Sequence, residues 1–383
     1  MGLKVGIVAG EASGDVLGAG LMAALRREED CQFEGICGPA MAAEGGISRY
    51  PMERLAVTGI AEVIGRIPEI VRMRRDLIRH FRARRPDCVI GIDAPDFTLA
   101  LERALKRDGI PVVHYVSPTV WAWRRYRVRT VARSADLLLA LLPFEPPYYE
   151  GHMRALYVGH PLADRIREDP TPVRARQQLR MDEEGLVIAL LPGSRENELK
   201  AHGQLFVRTA MRLAMRYPQC RFVVPFASRK TRMIFEDAIR EEGAYDLPLM
   251  RVHGHAAQAM AASDIVIVAS GTAALEAALV GRPMIVTYRT SSLSYHLLRG
   301  LVRLDYYSLP NHLLGAPLVP ELIQQKATPD HLVAAAERLI ESPSARGEMV
   351  AAFTRIREEL RRNADQTAAR AVLDLIAQKR AGA

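Results

Sequence analysis

The sequence contains little cysteine, few aromatic residues and no long apolar run. Its four cysteines show no CxxC spacing and no neighbouring histidines, so we expect buried free thiols rather than disulfides or a metal site. No apolar run approaches the length that a bilayer-spanning helix needs. Zinc-finger spacings and an aromatic RNA-binding signature are also missing, and we therefore expect no nucleic-acid partner.

Basic residues outnumber acidic ones. The 383-residue chain has 52 Lys and Arg against 44 Asp and Glu, and its net charge of +8 suits phosphorylated substrates or an anionic membrane surface. The opening MGLKVGIVAGEASGD has an apolar stretch that ends in acids without a small-residue cleavage site, which predicts a first β-strand rather than a signal peptide. The length favours two domains.

Apolar runs alternate with amphipathic stretches along the chain, the pattern of parallel, doubly wound sheets. Residues 164–184 are polar and irregular, so we predict a domain boundary there, between residues 1–165 and 185–383. The predicted fold class is α/β, with two Rossmann-like domains, a ligand cleft between them and C-terminal helices from Pro329 onward. The predicted strands are residues 4–9, 88–92, 112–116, 137–141 and 157–158, then 186–191, 222–225, 249–252, 265–268 and 284–287.

Ser270, Gly271 and Thr272 follow an apolar run and precede an alanine-rich helix. Helix N-termini expose unpaired N–H groups and partial positive charge, and glycine lets a phosphate approach the backbone. Glu276 lies about one turn further on, where its carboxylate can accept from the hydroxyls of a ribose. The alternative is a capped helix that binds nothing.

A second strand-to-helix turn occurs in LLPGSRENE, residues 190–198. Arg195 in this turn can offset the charge of a pyrophosphate without a metal. The alternative is an arginine that caps a loop. Asn197 and Glu198 in the same stretch are assigned no role.

Two acids follow the predicted strand 88–92, in GIDAPDF. Asp96 or Asp93 can act as general base for a hydroxyl, while the other orients it or caps the next helix. Their spacing is not the Asp-x-Asp of metal-dependent nucleotide-sugar enzymes. The alternative is that both are turn and cap residues.

The loop GEASGD, residues 10–15, is glycine-rich but is neither GxGxxG nor a Walker A motif, which argues against a dinucleotide or ATP site. We predict Ser13 as a substrate-binding residue at this strand end. Ser13 or Asp15 can alternatively cap the helix that follows.

Both tryptophans of the chain, Trp121 and Trp123, stand beside arginines in SPTVWAWRRYR. Such a combination suits a phosphorylated amphiphile or the headgroup level of a membrane, and the alternative is buried core tryptophans. The segment Thr58–Arg85 mixes apolar residues with arginines. It predicts either an amphipathic helix on anionic lipid or an ordinary helix that covers the sheet.

Several motifs follow one another over nearly the whole chain: GEASGDVLGAGL (10–21), GIDAPDF (91–97), SPTVWAWRRYRV (117–128), VGHPL (158–162), LPGSRENEL (191–199), ASGTAALEAAL (269–279), and LPNHLLG with VPELIQ (309–324). Together they resemble the lipid-A-disaccharide synthase family, inverting glycosyltransferases with the GT-B fold.

The resemblance implies UDP-2,3-diacylglucosamine as donor and 2,3-diacylglucosamine 1-phosphate (lipid X) as acceptor. The implied products are the β-1,6-linked disaccharide 1-phosphate and UDP. By motif, Asp96 corresponds to the general base and Arg195 to a diphosphate contact. Asn311 and Glu321 correspond to donor-site residues. We expect no metal and no other cofactor, because helix N-termini and Arg195 can offset the charge of the leaving UDP.

For the family, the N-terminal domain is expected to bind the acceptor and face the membrane, and the C-terminal domain to bind the UDP-sugar. The implied location is cytoplasmic, on the inner-membrane surface, and a homodimer is compatible with the sequence. One alternative is an enzyme similar to UDP-N-acetylglucosamine 2-epimerase, which would not need the tryptophan loop. Another is a catalytically silent nucleotide-sugar sensor, in which Asp96 would have no role.

Overall fold

The computed structural model describes residues 2–55, 60–122, 125–166, 171–290 and 305–382, and for residues 60–64 it describes the backbone alone. These residues form two compact units, Met1–Asp164 with Leu360–Ala383, and Arg165–Glu359. Each unit is built on its own parallel sheet with helices around it, so the predicted α/β fold class is confirmed.

The first unit contains a seven-stranded sheet. Its strands are β1 Leu3–Ala9, β2 Cys31–Ile36, β3 Ile47–Ser48, β4 Cys88–Ile92, β5 Val112–Tyr115, β6 Leu137–Ala140 and β7 Arg154–Tyr157. Its helices are α1 Ala12–Glu28, α2 Pro39–Ala43, α3 Ile60–Arg84, α4 Pro95–Arg107, α5 Arg127–Ser134 and α6 Pro161–Arg165. The spatial order β3-β2-β1-β4-β5-β6-β7 reverses direction between β1 and β4.

The second unit contains a six-stranded sheet. Its strands are β8 Val187–Leu191, β9 Arg221–Phe226, β10 Leu249–His253, β11 Ile265–Ala269, β12 Met284–Tyr288 and β13 Glu321–Ile323. Its helices are α7 Pro172–Leu179, α8 Glu196–Arg216, α9 Arg229–Glu241, α10 Ala256–Ala262, α11 Thr272–Leu279, α12 Leu309–Leu314, α13 Pro329–Glu341 and α14 Pro343–Leu360. The order β10-β9-β8-β11-β12-β13 reverses between β8 and β11.

The central strands consist almost entirely of apolar residues because helices cover both faces of each sheet. All five residues of β4, of β8 and of β11 are buried. In open parallel sheets, ligands bind beyond the carboxyl ends of the strands, where the strand order reverses. The topology therefore predicts ligand sites at the carboxyl ends of β1 and β4 in one unit and of β8 and β11 in the other.

The last helix, α15 Ala364–Ala381, belongs to the first unit. This differs from the prediction that residues 185–383 form one domain. The Asp164 carboxylate accepts hydrogen bonds from Asn363 N at 3.0 Å and Ala364 N at 2.6 Å, which caps the start of α15. The helix packs against α1, where a Cβ on Gly20 would lie 2.4 Å from the Asp365 carboxylate.

Helix α3 covers the first sheet with one apolar stripe. Met73, Leu77 and Phe81 are buried at intervals of four residues, and the arginine Arg82 pairs with Asp108 at 2.7 Å. This part of the segment is thus the sheet-covering helix of the alternative interpretation. Residues 58 and 59 of the predicted segment lie outside the described residues.

The four cysteines are free and buried, as predicted. None of the described helices combines the length and apolarity that crossing a bilayer requires.

Candidate functional site

A cavity of about 580 Å³ opens in the second unit at the carboxyl ends of β8, β9, β10 and β11. Its walls include the turn Gly193–Arg195, Phe226, His255, the turn Ser270–Thr272 and the side chain of Glu276. The structure thus brings together both strand-to-helix turns that the sequence singled out, together with the acid between them.

The turn after β11 offers backbone donors to this cavity. Ser270 N donates to Thr287 O at 2.9 Å, which fixes the turn against β12. Gly271 has φ 145° and ψ −160°, a conformation that favours glycine, and no atom lies within 4 Å of where its Cβ would stand. Within the described chain, no acceptor contacts the N–H groups of Gly271, Thr272 and Ala273. They can therefore bind an anion.

Glu276 is half-buried on α11 and faces the same cavity. Burial raises the pKa of its carboxyl, and no side chain of the described residues pairs with it. A partly desolvated carboxylate without a partner is stabilised by hydroxyl donors from a ligand. This is the chemistry predicted for a ribose contact.

The turn after β8 differs from the turn after β11, because its N–H groups already have an acceptor. Glu198 Oε2 accepts from Ser194 N at 2.9 Å and from Arg195 N at 3.2 Å, so the turn is capped by an acid of its own helix. Sequence reasoning assigned Glu198 no role. The signal that identifies it is an acid three residues after the residue that caps the helix, here Arg195.

The Arg195 side chain lines the cavity. Its side chain is 57% exposed, and Nη1 lies 3.9 Å from Glu198 Oε1, a loose contact. His202 holds this end of α8 against β12, because its Nδ1 donates to Glu198 O at 2.8 Å and its Nε2 accepts from Arg289 N at 2.8 Å. Burial lowers the pKa of His202, consistent with this neutral form.

Asn311 and Glu321 lie together, but their polar atoms bind their own chain. Glu321 Oε1 accepts from Asn311 Nδ2 at 2.8 Å and from Ser308 Oγ at 2.7 Å, and Oε2 accepts from Tyr307 N at 2.9 Å. The buried Asn311 amide also exchanges two hydrogen bonds with the backbone of Val319. We call this group, residues 307–321, the latch. Its geometry favours a positioning role, and a direct donor contact stays a prediction.

The reversal point of the first sheet shows unusual backbone conformations. Asp93 and Ala94, directly after β4, have φ 51° and 45°, and Val116, after β5, has φ 82°. A positive φ is rare for residues other than glycine and rarer still for β-branched ones. A Cβ on Gly10 would lie 2.4 Å from Ala94 Cβ, so glycine permits the loops after β1 and β4 to touch. Such strain concentrates at functional sites.

Asp96 lies in the first turn of α4, and its side chain is 85% exposed. Its Oδ1 accepts from Arg127 Nη2 on α5 at 2.5 Å. Asp93 is half-buried, and its carbonyl accepts from Thr98 Oγ1 at 2.8 Å. Of the two acids, Asp96 is the more exposed.

A buried pair that sequence reasoning missed anchors α4 to the sheet. Glu102 Oε1 lies 2.7 Å from His114 Nδ1 on β5, and both side chains are fully buried. Burial raises the pKa of Glu102. The facing Gly91 leaves room for this carboxylate, because a Cβ there would lie 1.9 Å from Oε1. The signal was a glycine in a central strand.

In the loop after β1, Ser13 and Asp15 have different surroundings. Ser13 is exposed at the carboxyl edge of the sheet. Asp15 is buried and caps a different helix from the predicted one: its carboxylate accepts from Gly38 N, Ala40 N and Met41 N at 2.8–3.0 Å, at the start of α2. Ser13 therefore remains the candidate for substrate contact.

Trp121 belongs to a polar cluster beyond β5 and β6. Its ring packs edge-on against Phe144, with centroids 5.4 Å apart. The adjacent Glu145 is buried, and burial raises its pKa to about 8, while hydrogen bonds from Leu142 N, Trp121 and Ser117 favour the carboxylate. Trp121 is thus partly a core residue. Trp123 lies outside the described residues.

Comparisons with known proteins agree with this architecture. The family described as Lipid-A-disaccharide synthetase matches residues 5–374. Lipid-A-disaccharide synthases of Pseudomonas aeruginosa (strain UCBPP-PA14) and Methylobacillus flagellatus are 49% and 47% identical, over 99% and 97% of this chain and 99% of each relative.

The crystal structure of UDP-GlcNAc 2-epimerase from Neisseria meningitidis bound to UDP-GlcNAc has a TM-score of 0.65, at 16% identity, over 94% of this chain and 99% of that one. At that identity the similarity shows a shared fold alone. It therefore gives no support to epimerase activity in this chain. The identity to the named synthases is about three times higher and extends over nearly the whole chain. The chain belongs to the lipid-A-disaccharide synthase family and is a glycosyltransferase of the GT-B fold.

Proposed function

We propose that this protein transfers 2,3-diacylglucosamine from UDP-2,3-diacylglucosamine to 2,3-diacylglucosamine 1-phosphate, forming the β-1,6-linked disaccharide 1-phosphate and UDP. The observation that carries the proposal is the cavity of the second unit. There the carboxylate of Glu276 and the N–H groups of residues 271–273, none of which pairs with another group of the described residues, line one space. That combination suits a nucleoside diphosphate, which presents hydroxyls and anionic oxygens together.

The donor is held by groups of complementary chemistry. The N-terminus of α11 and the Arg195 guanidinium bind the diphosphate, and Glu276 accepts from the ribose hydroxyls. These positive groups stabilise the charge that develops on the leaving UDP, so the step needs no metal. Asn311 and Glu321 support donor binding by ordering the latch.

Asp96 is the general base. Its carboxylate takes the proton of the acceptor's 6-hydroxyl as the O6–C1 bond forms. The bond between C1 and the β-phosphate oxygen breaks in the same displacement, and its electron pair leaves with UDP. One displacement converts the α-linked donor into a β-linkage. Ser13, at the same sheet edge as Asp96, is the proposed further contact of the acceptor.

Both substrates carry acyl chains, so the enzyme works at a membrane surface. We assign this contact to the first unit, where Ile67 on α3 is 48% exposed among arginines. The location is then the cytoplasmic face of the inner membrane, bound peripherally. A homodimer stays a prediction, which analytical ultracentrifugation of the purified protein tests.

A turnover assay tests the proposal. Purified protein with both acylated substrates should yield the disaccharide 1-phosphate and UDP, detected by mass spectrometry, in the presence of EDTA as well as without it. Conversion of UDP-N-acetylglucosamine to its 2-epimer without disaccharide would instead support the epimerase. UDP binding without any turnover would support the silent sensor and overturn the proposed reaction.

A further inference from the structure

A groove of about 470 Å³ runs between α4 and α5 on the first unit. Asp96 and Arg127 stand at one end, and Arg103 and Arg107 line it further along α4. Leu99, Ala100 and Ala104 also line the groove and contribute no charge.

The charges of the groove are unbalanced. Arg127 is paired with Asp96, whereas no carboxylate of the described residues pairs with Arg103 or Arg107. Many other arginines of this protein have such a partner, as Arg82 does with Asp108. Among the described residues that line the groove, Asp96 is the one acid, so these residues carry a net charge of about +2. It is complementary to a dianion.

Helix geometry places these arginines in line with the base. Arg103 follows Asp96 by seven residues, which is about two turns on the same face of α4. Helical side chains lean toward the N-terminus, so the Arg103 side chain can extend along α4 toward Asp96. An anion beside Asp96 is therefore within reach of Arg103, with Arg107 one turn beyond.

The acceptor has a matching arrangement of groups. Its C1, which bears the phosphate, and its C5, which bears the 6-hydroxymethyl group, are both bonded to the ring oxygen. The phosphate is thus a near neighbour of the reacting hydroxyl, while the acyl group on C3 lies across the ring. A phosphate monoester carries a charge of about −1.5 to −2 at pH 7.

We propose that the groove between α4 and α5 is the subsite for the acceptor's phosphate, bound by Arg103 and Arg107. This inference rests on the proposed function. The phosphate orients the sugar so that its 6-hydroxyl meets Asp96. The subsite thereby selects 1-phosphorylated acceptors over sugars that lack the phosphate.

The test compares two acceptors, 2,3-diacylglucosamine 1-phosphate and 2,3-diacylglucosamine, with the full-length enzyme and its variants. Arg103→Gln, Arg107→Gln and the double variant remove charges from the groove. Arg129→Gln removes the same charge from an exposed position on α5 outside it. Unfolding midpoints and the Kd for UDP, which the subsite does not touch, show that each variant is folded.

We expect each groove substitution to raise KM for the phosphorylated acceptor about tenfold, because a charge-assisted hydrogen bond is lost. The phosphate-free acceptor and the Arg129→Gln control should be unaffected. Equal effects on both acceptors, or none, would overturn the subsite while leaving the transferase reaction intact.

If the unmodified enzyme makes no disaccharide, the proposed function fails separately. Binding of 2,3-diacylglucosamine 1-phosphate in detergent micelles then decides the subsite. Weaker binding by the double variant than by Arg129→Gln supports it, and equal binding overturns it.

Discussion

Arg127 Nη2 lies 2.5 Å from Asp96 Oδ1 and holds an exposed carboxylate at the start of α4. The two residues come from consecutive helices of the first unit, 31 positions apart. The pair places the proposed base at the end of the groove lined by Arg103 and Arg107.

Asp96→Asn should lower kcat by about 10²–10⁴-fold, the usual contribution of a general base. KM for both substrates should change much less, because proton transfer takes place in the transition state. Steady-state kinetics with both substrates varied measure this. The control is Asp93→Asn, which should lose less activity or lose it through stability. Near-normal kcat in a folded, UDP-binding Asp96→Asn protein would place the base elsewhere.

Glu276→Ala should weaken UDP binding by about 1–3 kcal/mol, or roughly 5–150-fold in Kd, because ribose hydroxyls lose their acceptor. Isothermal titration calorimetry measures the change. Glu348→Ala removes an exposed acid of the same unit and should leave the Kd unchanged. If Glu276→Ala binds UDP with unaltered affinity, the assignment of the nucleotide to this cavity is wrong.

Asn311→Ala should lower the free energy of unfolding by about 2–4 kcal/mol, because buried groups of the latch lose their partners. Urea unfolding measures this, with the exposed Lys326→Ala as control. If stability is unchanged while KM for the donor rises, Asn311 contacts the donor directly, and the positioning role is wrong.

Glu145 should make stability depend on pH. Its pKa in the folded protein is about 8, above the ordinary value of 4.5, because burial disfavours the charged carboxylate. The stability that this carboxyl contributes is therefore fully present below about pH 4.5 and is lost as pH rises through about 8. Relative to Glu145→Gln, the native protein should therefore lose stability between pH 5 and about 9. Denaturant unfolding at several pH values tests this, with the exposed Glu150→Gln as control. Parallel curves for native protein and Glu145→Gln would contradict the prediction.

Membrane binding should be partly ionic. Substituting Arg72 and Arg75, both exposed on α3, by Gln should weaken binding to anionic vesicles about tenfold or more, at ~1 kcal/mol per charge. Added salt should release the unmodified protein in the same assay. Vesicle sedimentation measures both effects, and Arg338→Gln with Arg355→Gln is the charge-matched control. Equal binding to neutral and anionic vesicles at low salt would refute the ionic contribution.

Much of the fold follows from local pattern. The runs CVIGI, VIALL and IVIVA are apolar throughout, and each precedes a turn, so parallel strands and their carboxyl ends were predictable. Short or polar elements such as β3 and β13 carry no such pattern and were missed. The last helix was assigned to the wrong unit because amphipathic periodicity indicates a helix without identifying the surface that it covers.

Some features of the candidate site were also predictable from the sequence, and others were not. The glycine turn before α11 and the acid on that helix were recognisable, since they are neighbours in sequence. The hydrogen bond from Ser194 N to Glu198 is also local, but the sequence analysis assigns Glu198 no role. The buried pair of Glu102 and His114 was not recognisable, because strand and helix periodicities do not specify which side chains meet.

The sequence by itself determined two parallel α/β sheets, the strand ends that carry ligand-binding groups, and the family. These depend on periods of two and 3.6 residues and on motifs of a few adjacent positions. Tertiary structure alone decided that Arg127 holds Asp96, that Asn311 and Glu321 bind each other, and that α15 joins the first unit. Each of those contacts joins residues far enough apart in the chain that their approach depends on how whole elements pack, which no local pattern encodes.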